Sequence, residues 1–333
     1  MNKTRLEALG WTPAWAAHYE SLELGPSWRP ARISVEYQDR VRVEFDDGHA
    51  DAFLVGRLRD VTDRLDRPAV GDWVAVRQSD SDDLPMVGHL LPRRSVFIRR
   101  AAGNRDIPQI LAANIDRVFI VTSLNREFNP RRLERYIAAV HASGAVPVLV
   151  LNKADLVDAS DPFVERLDPE LRSLDLVVTS AESGVGIDRL REEIRPGQTV
   201  AFSGSSGVGK STLLNVLLGR EAMATGDVRA VDDAGRHTTR NRTLLTFPGG
   251  GVLIDTPGMR ELQLWATPDR VSEAFGDIEE RAEDCKFRNC AHDTEPGCAV
   301  RRAVDDGAIG SARVASYRKL VREALSRESD RRY

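Results

Sequence analysis

No stretch of this 333-residue chain comes near the run of roughly 20 apolar residues that a membrane-spanning helix requires, which excludes a helical membrane protein. The amino terminus, MNKTRLEALG, has none of the apolar core of a secretory leader, so the expected compartment is the cytosol, with no membrane partner. Cysteine is scarce. There are three, an odd number that cannot pair off as disulfides, and all lie between Cys285 and Cys298. In a reducing compartment such a cluster reads as metal ligation before disulfides. A charge excess of one sign is missing too. At a formal net charge of -4 the protein is not basic throughout, and any nucleic-acid contact must be local. The remaining composition, 41% apolar and 29% charged, is that of an ordinary globular protein long enough for two or three domains.

The most informative stretch is Phe202 to Leu214, FSGSSGVGKSTLL. Gly204, Gly209, Lys210 and Ser211 stand in the spacing G-x4-G-K-S of a loop that wraps a nucleoside triphosphate. From Ser205 through Ser206, Gly207 and Val208, successive backbone N–H groups would face the phosphates, and the helix that follows would add its positive end. Side chains at the glycines would obstruct that approach. Lys210 would reach the β- and γ-phosphates and the Ser211 hydroxyl a Mg2+ ion, with Thr212 completing the phosphate-binding set. The flanks agree: TVAFSG reads as a strand and TLLNVLLG as a helix stopped by Gly219.

Upstream, the continuous apolar run VPVLVL ends in NKADL, and LVVTSAES follows 27 residues later. Both are strands running into loops, the position where parallel sheets bind ligands. Guanine offers N1–H and an exocyclic amino group side by side, and the single carboxylate of Asp155 can accept from both. Adenine would leave that carboxylate unpaired. Asn152 would serve the other edge of the base, Lys153 would pack on the nucleotide and brace the P-loop, and the Ala181 N–H, after Ser180, would donate to guanine O6. Downstream of the P-loop, TGDVRAVDDAGRHTTRN is poor in apolar residues and is expected to be a mobile loop. In it Thr238 or Thr239 would close on Mg2+ and the γ-phosphate. GVLIDTPGMRE is a strand ending in D-x-x-G, with Asp255 placed to hold Mg2+ through water and the Gly258 N–H to sense the γ-phosphate.

The rest of the chain divides around this core. Residues 1–29 form an arm carrying Trp11, Trp15 and Trp28, either docked on the body or able to stack on a base. Residues 30–105 hold short alternating strands spaced like a five-stranded barrel of the oligonucleotide-binding type. Phe45, Phe53, Trp73 and Phe97 are expected in its core. Arg93, Arg94, Arg99, Arg100 and Arg105 behind it suit either phosphate contact or a solvated linker. Alternating strands and helices over 110–270 predict a mostly parallel α/β sheet covered on both faces. In 271–333, Cys285, Cys290, His292 and Cys298 have the spacing C-x4-C-x-H-x5-C of a closed structural zinc site, free reduced thiols being the alternative. The terminal segment carries Arg313, Arg318, Lys319, Arg322, Arg327, Arg331 and Arg332, and reads as an rRNA-contacting helix or as a solvated face.

Most GTPases present the P-loop first, then D-x-x-G, N-K-x-D and S-A-x. Here the order is N-K-x-D, S-A-x, P-loop, D-x-x-G, which is a circularly permuted GTPase domain. Permutation costs little if the ends of the domain lie close together. With GRHTT before DTPGMRE and the cluster CKFRNCAHDTEPGCAV beyond it, the chain resembles the small-ribosomal-subunit-dependent GTPases of the RsgA family over about residues 30–325. The resemblance implies a barrel, a permuted P-loop GTPase domain and a helical zinc domain. It also implies a factor, expected as a monomer, that binds the immature small ribosomal subunit and its rRNA and hydrolyses GTP to GDP faster there. Two rivals are a large-subunit assembly factor and an RNA-binding module with a structural nucleotide site. Where Ras-like enzymes carry glutamine after D-x-x-G this chain has Met259, so slow intrinsic turnover and an outside activator are expected. The resemblance supports His237 as the group that orients the attacking water, an incidental loop histidine being the alternative.

Overall fold

The computed structural model describes residues 4–61, 64–78, 84–100, 108–167, 169–219, 243–248, 250–255 and 275–330. The chain begins with a short capped helix, α1 (Arg5–Ala8). Its Thr4 hydroxyl accepts from the Glu7 N–H at 3.2 Å while the Glu7 carboxylate accepts from the Thr4 N–H at 2.9 Å. A second helix, α2 (Pro13–Glu20), opens on proline, whose fixed φ suits that position. Between and within them, Trp11 and Trp15 pack on Trp73 with ring centroids 4.8 and 6.3 Å away. The arm is docked on the body.

Five strands make the barrel: β1 (Trp28–Glu36), β2 (Val41–Glu44), β3 (His49–Leu54), β4 (Trp73–Arg77) and β5 (Met86–Leu90), with a turn of helix, α3 (Gly56–Arg59), after β3. Pairing runs β1-β2-β3-β5-β4 and returns from β4 to β1, so the ring closes and leaves no open edge. Ile33, Val43, Ala52, Val74, Val76 and Val87 fill it. Phe45, Trp73 and Phe97 are buried as expected, but Phe53 is 42% exposed. Alternation along β3 points Ala52 and Leu54 inward and leaves Phe53 outward.

The basic stretch behind the barrel is used internally where it is described. Arg93 donates from Nε and Nη2 to the fully buried Asp72 carboxylate at 2.8 and 2.6 Å. Arg94 lies 4.6 Å over the Trp15 ring and donates to the Thr12 hydroxyl. Arg93 braces the barrel from within, bonding also to the Leu65 and Arg67 carbonyls, and Arg94 ties the arm to it, so these two arginines are engaged inside the fold. Of Arg99 and Arg100 only the backbone is described, in β6 (Val96–Arg100), which pairs with β7 (Pro108–Ala113) as a two-stranded ribbon, and Arg105 lies outside the described residues.

The α/β region continues with β8 (Arg117–Ser123), α4 (Pro130–Ala142), β9 (Val146–Asn152), α5 (Asp161–Val164), α6 (Pro169–Arg172), β10 (Leu176–Val178), α7 (Ile187–Glu192), β11 (Thr199–Ser203), α8 (Lys210–Leu218), β12 (Thr243–Thr246) and β13 (Val252–Asp255). Neighbours in the order β10-β9-β8-β11-β13 are all parallel, and β12 runs antiparallel along β13. Every residue of β8 and β11 is buried, as strands covered on both faces must be. One junction has no counterpart in the sequence pattern: β12 also pairs with β1 at Val35 and Thr243, so the barrel and the α/β sheet form one continuous sheet.

Beyond the α/β sheet, α9 (Gly276–Ala282), α10 (Ala299–Asp305) and α11 (Ser311–Asp330) enclose a small core of Phe275, Ile278, Val300, Ala303, Val314, Tyr317 and Leu320 that also takes in Ala138 of α4. Three basic residues of α11 pair closely with acids. Arg313 grips Asp277 with two bonds of 2.9 and 2.6 Å, Arg318 pairs with Asp293, and Lys319 pairs with Glu134 of α4 at 3.1 Å. At those three positions the helix face is charge-paired within the protein.

The α4–α11 contact makes stability depend on pH. His141 of α4 is buried with Nδ1 3.0 Å from the Ser316 hydroxyl, and burial pushes its pKa from 6.5 down to about 4, Arg313 adding to the shift and Asp277 opposing it. Its folded pKa lies below the unfolded value, so its contribution is complete above pH 6.5 and is lost as pH falls from there towards 4, where the unfolded chain binds a proton that the folded one refuses. The loss should total about 3 kcal/mol. Urea unfolding of wild type and His141→Gln across that window should show a steeper acid slope for the wild type. Parallel slopes would contradict the assignment.

Candidate nucleotide site and metal centre

The motif-bearing loops leave the carboxyl ends of parallel strands. Ser203 ends β11 and leads into the P-loop, Asn152 ends β9, Val178 ends β10 just before Thr179 and Ser180, and Asp255 ends β13. Open α/β sheets bind ligands along that edge. Two glycines show why the P-loop can sit there. Gly204 has φ +139°, and a Cβ on it would fall 2.2 Å from the Val121 carbonyl oxygen of β8. Gly209 has φ +96°, and its Cβ would fall 2.3 Å from Nδ2 of Asn152. Neither position tolerates a side chain.

The lysine of the loop is folded back on it. Lys210 is buried, and its ammonium donates to the carbonyls of Gly204 at 2.7 Å and Ser205 at 2.5 Å. Ser206 and Gly207 are exposed, Val208 is buried, and Ser211 and Thr212 open the first turn of α8 on its exposed side. Nδ2 of Asn152 donates to the Val208 carbonyl at 2.9 Å, and its Oδ1 accepts from the Thr179 hydroxyl at 3.1 Å. Each end of this amide therefore makes one bond within the protein, and each keeps capacity for a second. Asn152, 1% exposed, thus braces the P-loop from the end of β9, next to Lys153. Lys153 adopts φ +64°, a left-handed turn that swings the chain out of β9. Asp155 is exposed. Its Oδ1 accepts from the Ser180 hydroxyl at 2.5 Å, and that hydroxyl accepts in turn from the Ser183 N–H, so the N-K-x-D and S-A-x loops are joined next to Ala181. His237, Thr238, Thr239, Gly258 and Met259 lie outside the described residues.

Two contributors escaped the sequence reading. Thr179 orients Asn152, and its place one residue before the S-A-x loop was a usable signal. Arg132 of α4 donates from Nη1 to the Ser205 hydroxyl at 2.6 Å, reaching the P-loop from the first turn of its helix.

The second candidate site is the cysteine cluster. The ligand atoms of Cys285, Cys290, His292 and Cys298 all lie within 4.8 Å of one another. Sγ of Cys285 is 3.6 Å from Nδ1 of His292 and 3.8 Å from Sγ of Cys298, and His292 Nδ1 is 3.4 Å from Cys298. A tetrahedron with Zn–S near about 2.3 Å and Zn–N near about 2.0 Å has edges of roughly 3.8 and 3.5 Å, so the spacing fits zinc. Backbone donors support the sulfurs: Ala299 N–H points at Cys285, and Arg301 N–H at Cys298, the N-cap of α10. Such second contacts stabilise thiolates and fix their direction.

The sequence profile of the RsgA GTPase family matches residues 90–265. A protein of Opitutus terrae named small ribosomal subunit biogenesis GTPase RsgA is 44% identical over 331 residues, covering 96% of this chain and 89% of its own. The chain belongs to the RsgA GTPase family. Its RsgA relative in Streptomyces coelicolor is 42% identical, covering 97% of this chain and 87% of its own. Among solved structures, YjeQ from Thermotoga maritima superposes with a TM-score of 0.61 at 27% identity over 90% of this chain and 99% of that one. The circularly permuted GTPase YloQ gives a TM-score of 0.59 at 24% identity over 90% and 96%, a likeness of fold. RsgA proteins are GTPases, and the permuted order of motifs along this sheet is that of the RsgA fold.

Proposed function

We propose that the protein is a cytoplasmic, monomeric GTPase that acts in assembly of the small ribosomal subunit by binding the subunit and its rRNA. The relatives named for small-subunit biogenesis, matched over nearly the whole chain, carry this assignment. The domain limits 1–29, 30–105, 110–270 and 271–333 go with it. Asp155, with the Ala181 N–H, reads guanine, and the amides of residues 204–209 hold the phosphates. Ser211, Asp255 and Thr238 or Thr239 hold Mg2+, which would neutralise charge on the β- and γ-phosphate oxygens. Lys210 leaves the two carbonyls it now bonds to reach the same oxygens, and the Gly258 N–H reports on the γ-phosphate. His237 orients the water, since Met259 offers no suitable partner. One structural zinc sits on Cys285, Cys290, His292 and Cys298.

The test is GTP turnover against added small subunits, with large subunits as the control. Small subunits should raise the rate by about 10²-fold or more, as external completion of a GTPase site does, and His237→Ala should lose most of that increase while binding subunits normally. Stimulation by large subunits instead would mean a large-subunit factor. No turnover with either would leave an RNA-binding module with a structural nucleotide site.

A further inference from the structure

Arg132 is placed to serve the same reaction, and its position rests on the P-loop assignment above. Its backbone is fixed before any ligand arrives. The Asn129 side chain caps α4 by accepting from the Arg132 N–H at 3.2 Å, and Pro130 fills the first helical position. Ahead of the cap, Asn125 accepts from the Ser123 hydroxyl and the Glu127 N–H, and Phe128 is buried edge-on against Phe163 at 5.3 Å. The loop leaving β8 is thus ordered by its own bonds, and it delivers a guanidinium to the nucleotide edge of the sheet.

The contact on Ser205 locates that guanidinium along the phosphate chain. Ser205 is bonded twice: its carbonyl accepts from the Lys210 ammonium at 2.5 Å and its hydroxyl from Arg132 Nη1 at 2.6 Å. A P-loop lysine serves the β- and γ-phosphates. A cation on the same residue as that lysine stands beside the β,γ end of the phosphate chain. Among the described residues the Arg132 guanidinium has one partner, and that partner is a neutral hydroxyl. A γ-phosphate oxygen is a stronger acceptor, because charge-assisted bonds are roughly twice as strong as neutral ones and the guanidinium fork matches phosphate geometry.

We propose that Arg132 is a catalytic arginine supplied in cis, which leaves the Ser205 hydroxyl for the γ-phosphate when GTP is bound and stabilises the charge that builds there. In the step it assists, a water oxygen bonds to the γ-phosphorus, the bond from that phosphorus to the β–γ bridging oxygen breaks with its electron pair going to GDP, and of the two water protons one stays on inorganic phosphate and the other passes to solvent. An arginine finger provided by a partner typically contributes about 10³–10⁵ to such a rate. Here the arginine is carried by the helix next to the P-loop.

Arg132→Ala and Arg132→Lys, each with an unchanged melting temperature, test this in the full-length chain. The readouts are affinity for GDP, affinity for a non-hydrolysable GTP analogue, and single-turnover hydrolysis with saturating small subunits. The alanine variant should bind GDP within about threefold of wild type, bind the analogue about tenfold more weakly, and hydrolyse about 10²-fold more slowly. Lysine should restore part of the analogue affinity. Equal losses for GDP and the analogue would show that Arg132 only braces Ser205, and no loss in either would remove it from the site. Lys210→Ala serves as the reference for the parent assignment: if it too binds the analogue normally, the P-loop reading fails and not merely the role of Arg132.

Discussion

Asp155→Asn is expected to turn a protein that selects GTP into one that prefers xanthosine triphosphate. The carboxylate can accept from N1–H and the 2-amino group of guanine at once. An amide has one acceptor and one donor, and the donor would meet the amino group head-on. Xanthine carries a carbonyl at that position, so the same donor becomes a partner. The geometry makes the exchange clean, because Oδ1 is held by the Ser180 hydroxyl at 2.5 Å and an asparagine keeps that oxygen. The atom that changes is the other one. Polar sites that leave a buried donor or acceptor unmatched discriminate by about 10⁴, so GTP affinity should fall by roughly 10³-fold or more, with XTP affinity rising. Competition titrations with GTP, XTP and ATP give the result directly. Equal weakening of GTP and XTP would mean that the substitution damaged the loop, and unchanged GTP affinity would remove Asp155 from base reading.

The site was legible in the sequence to the extent that its chemistry lies in short segments. A P-loop needs glycines where a Cβ would strike Val121 or Asn152, and those two clashes are written into the spacing as Gly204 and Gly209. The zinc ligands were legible for a similar reason, since four donors within fourteen residues have few other ways to meet. What escaped notice depends on contacts between distant segments. Arg132 and Ser205 are 73 positions apart, and β1 meets β12 across more than 200 residues. The acids that occupy Arg93, Arg313 and Lys319, namely Asp72, Asp277 and Glu134, are also beyond local reach, 21, 36 and 185 positions away. A run of basic residues looks the same whether it faces rRNA or a carboxylate of its own fold. Phe53 shows the limit within one strand, because hydrophobicity marked it for the core and only the inward facing of Ala52 and Leu54 placed it outside.

Removing the metal should release the carboxyl-terminal region while leaving the nucleotide site able to bind. Phe275, Ile278, Val300, Ala303, Val314, Tyr317 and Leu320 make a core far smaller than that of the barrel or the α/β sheet, and a unit of this size seldom stands on apolar burial alone. Structural zinc contributes about 10–16 kcal/mol of apparent binding energy in small zinc-dependent peptides, more than the whole stability of most domains. Cys298 joins both sources of order, since its buried sulfur is a candidate ligand and also caps α10. Elemental analysis of the purified protein should find one zinc per chain, and Cys298→Ser should lose it. Proteolysis of that variant should begin within residues 275–330, because Lys319 and Ser316 would no longer be held against Glu134 and His141 of α4. GTP-analogue binding should stay within about threefold, as α4 is also packed on β8 and β9 by Leu133, Ile137 and Val140. A metal-free protein whose carboxyl-terminal region resists protease as well as the zinc-loaded one does would refute the structural role. Loss of nucleotide binding together with the metal would instead make α4 a rigid link between zinc and the P-loop, a coupling that Arg132, at the start of that helix, is positioned to carry.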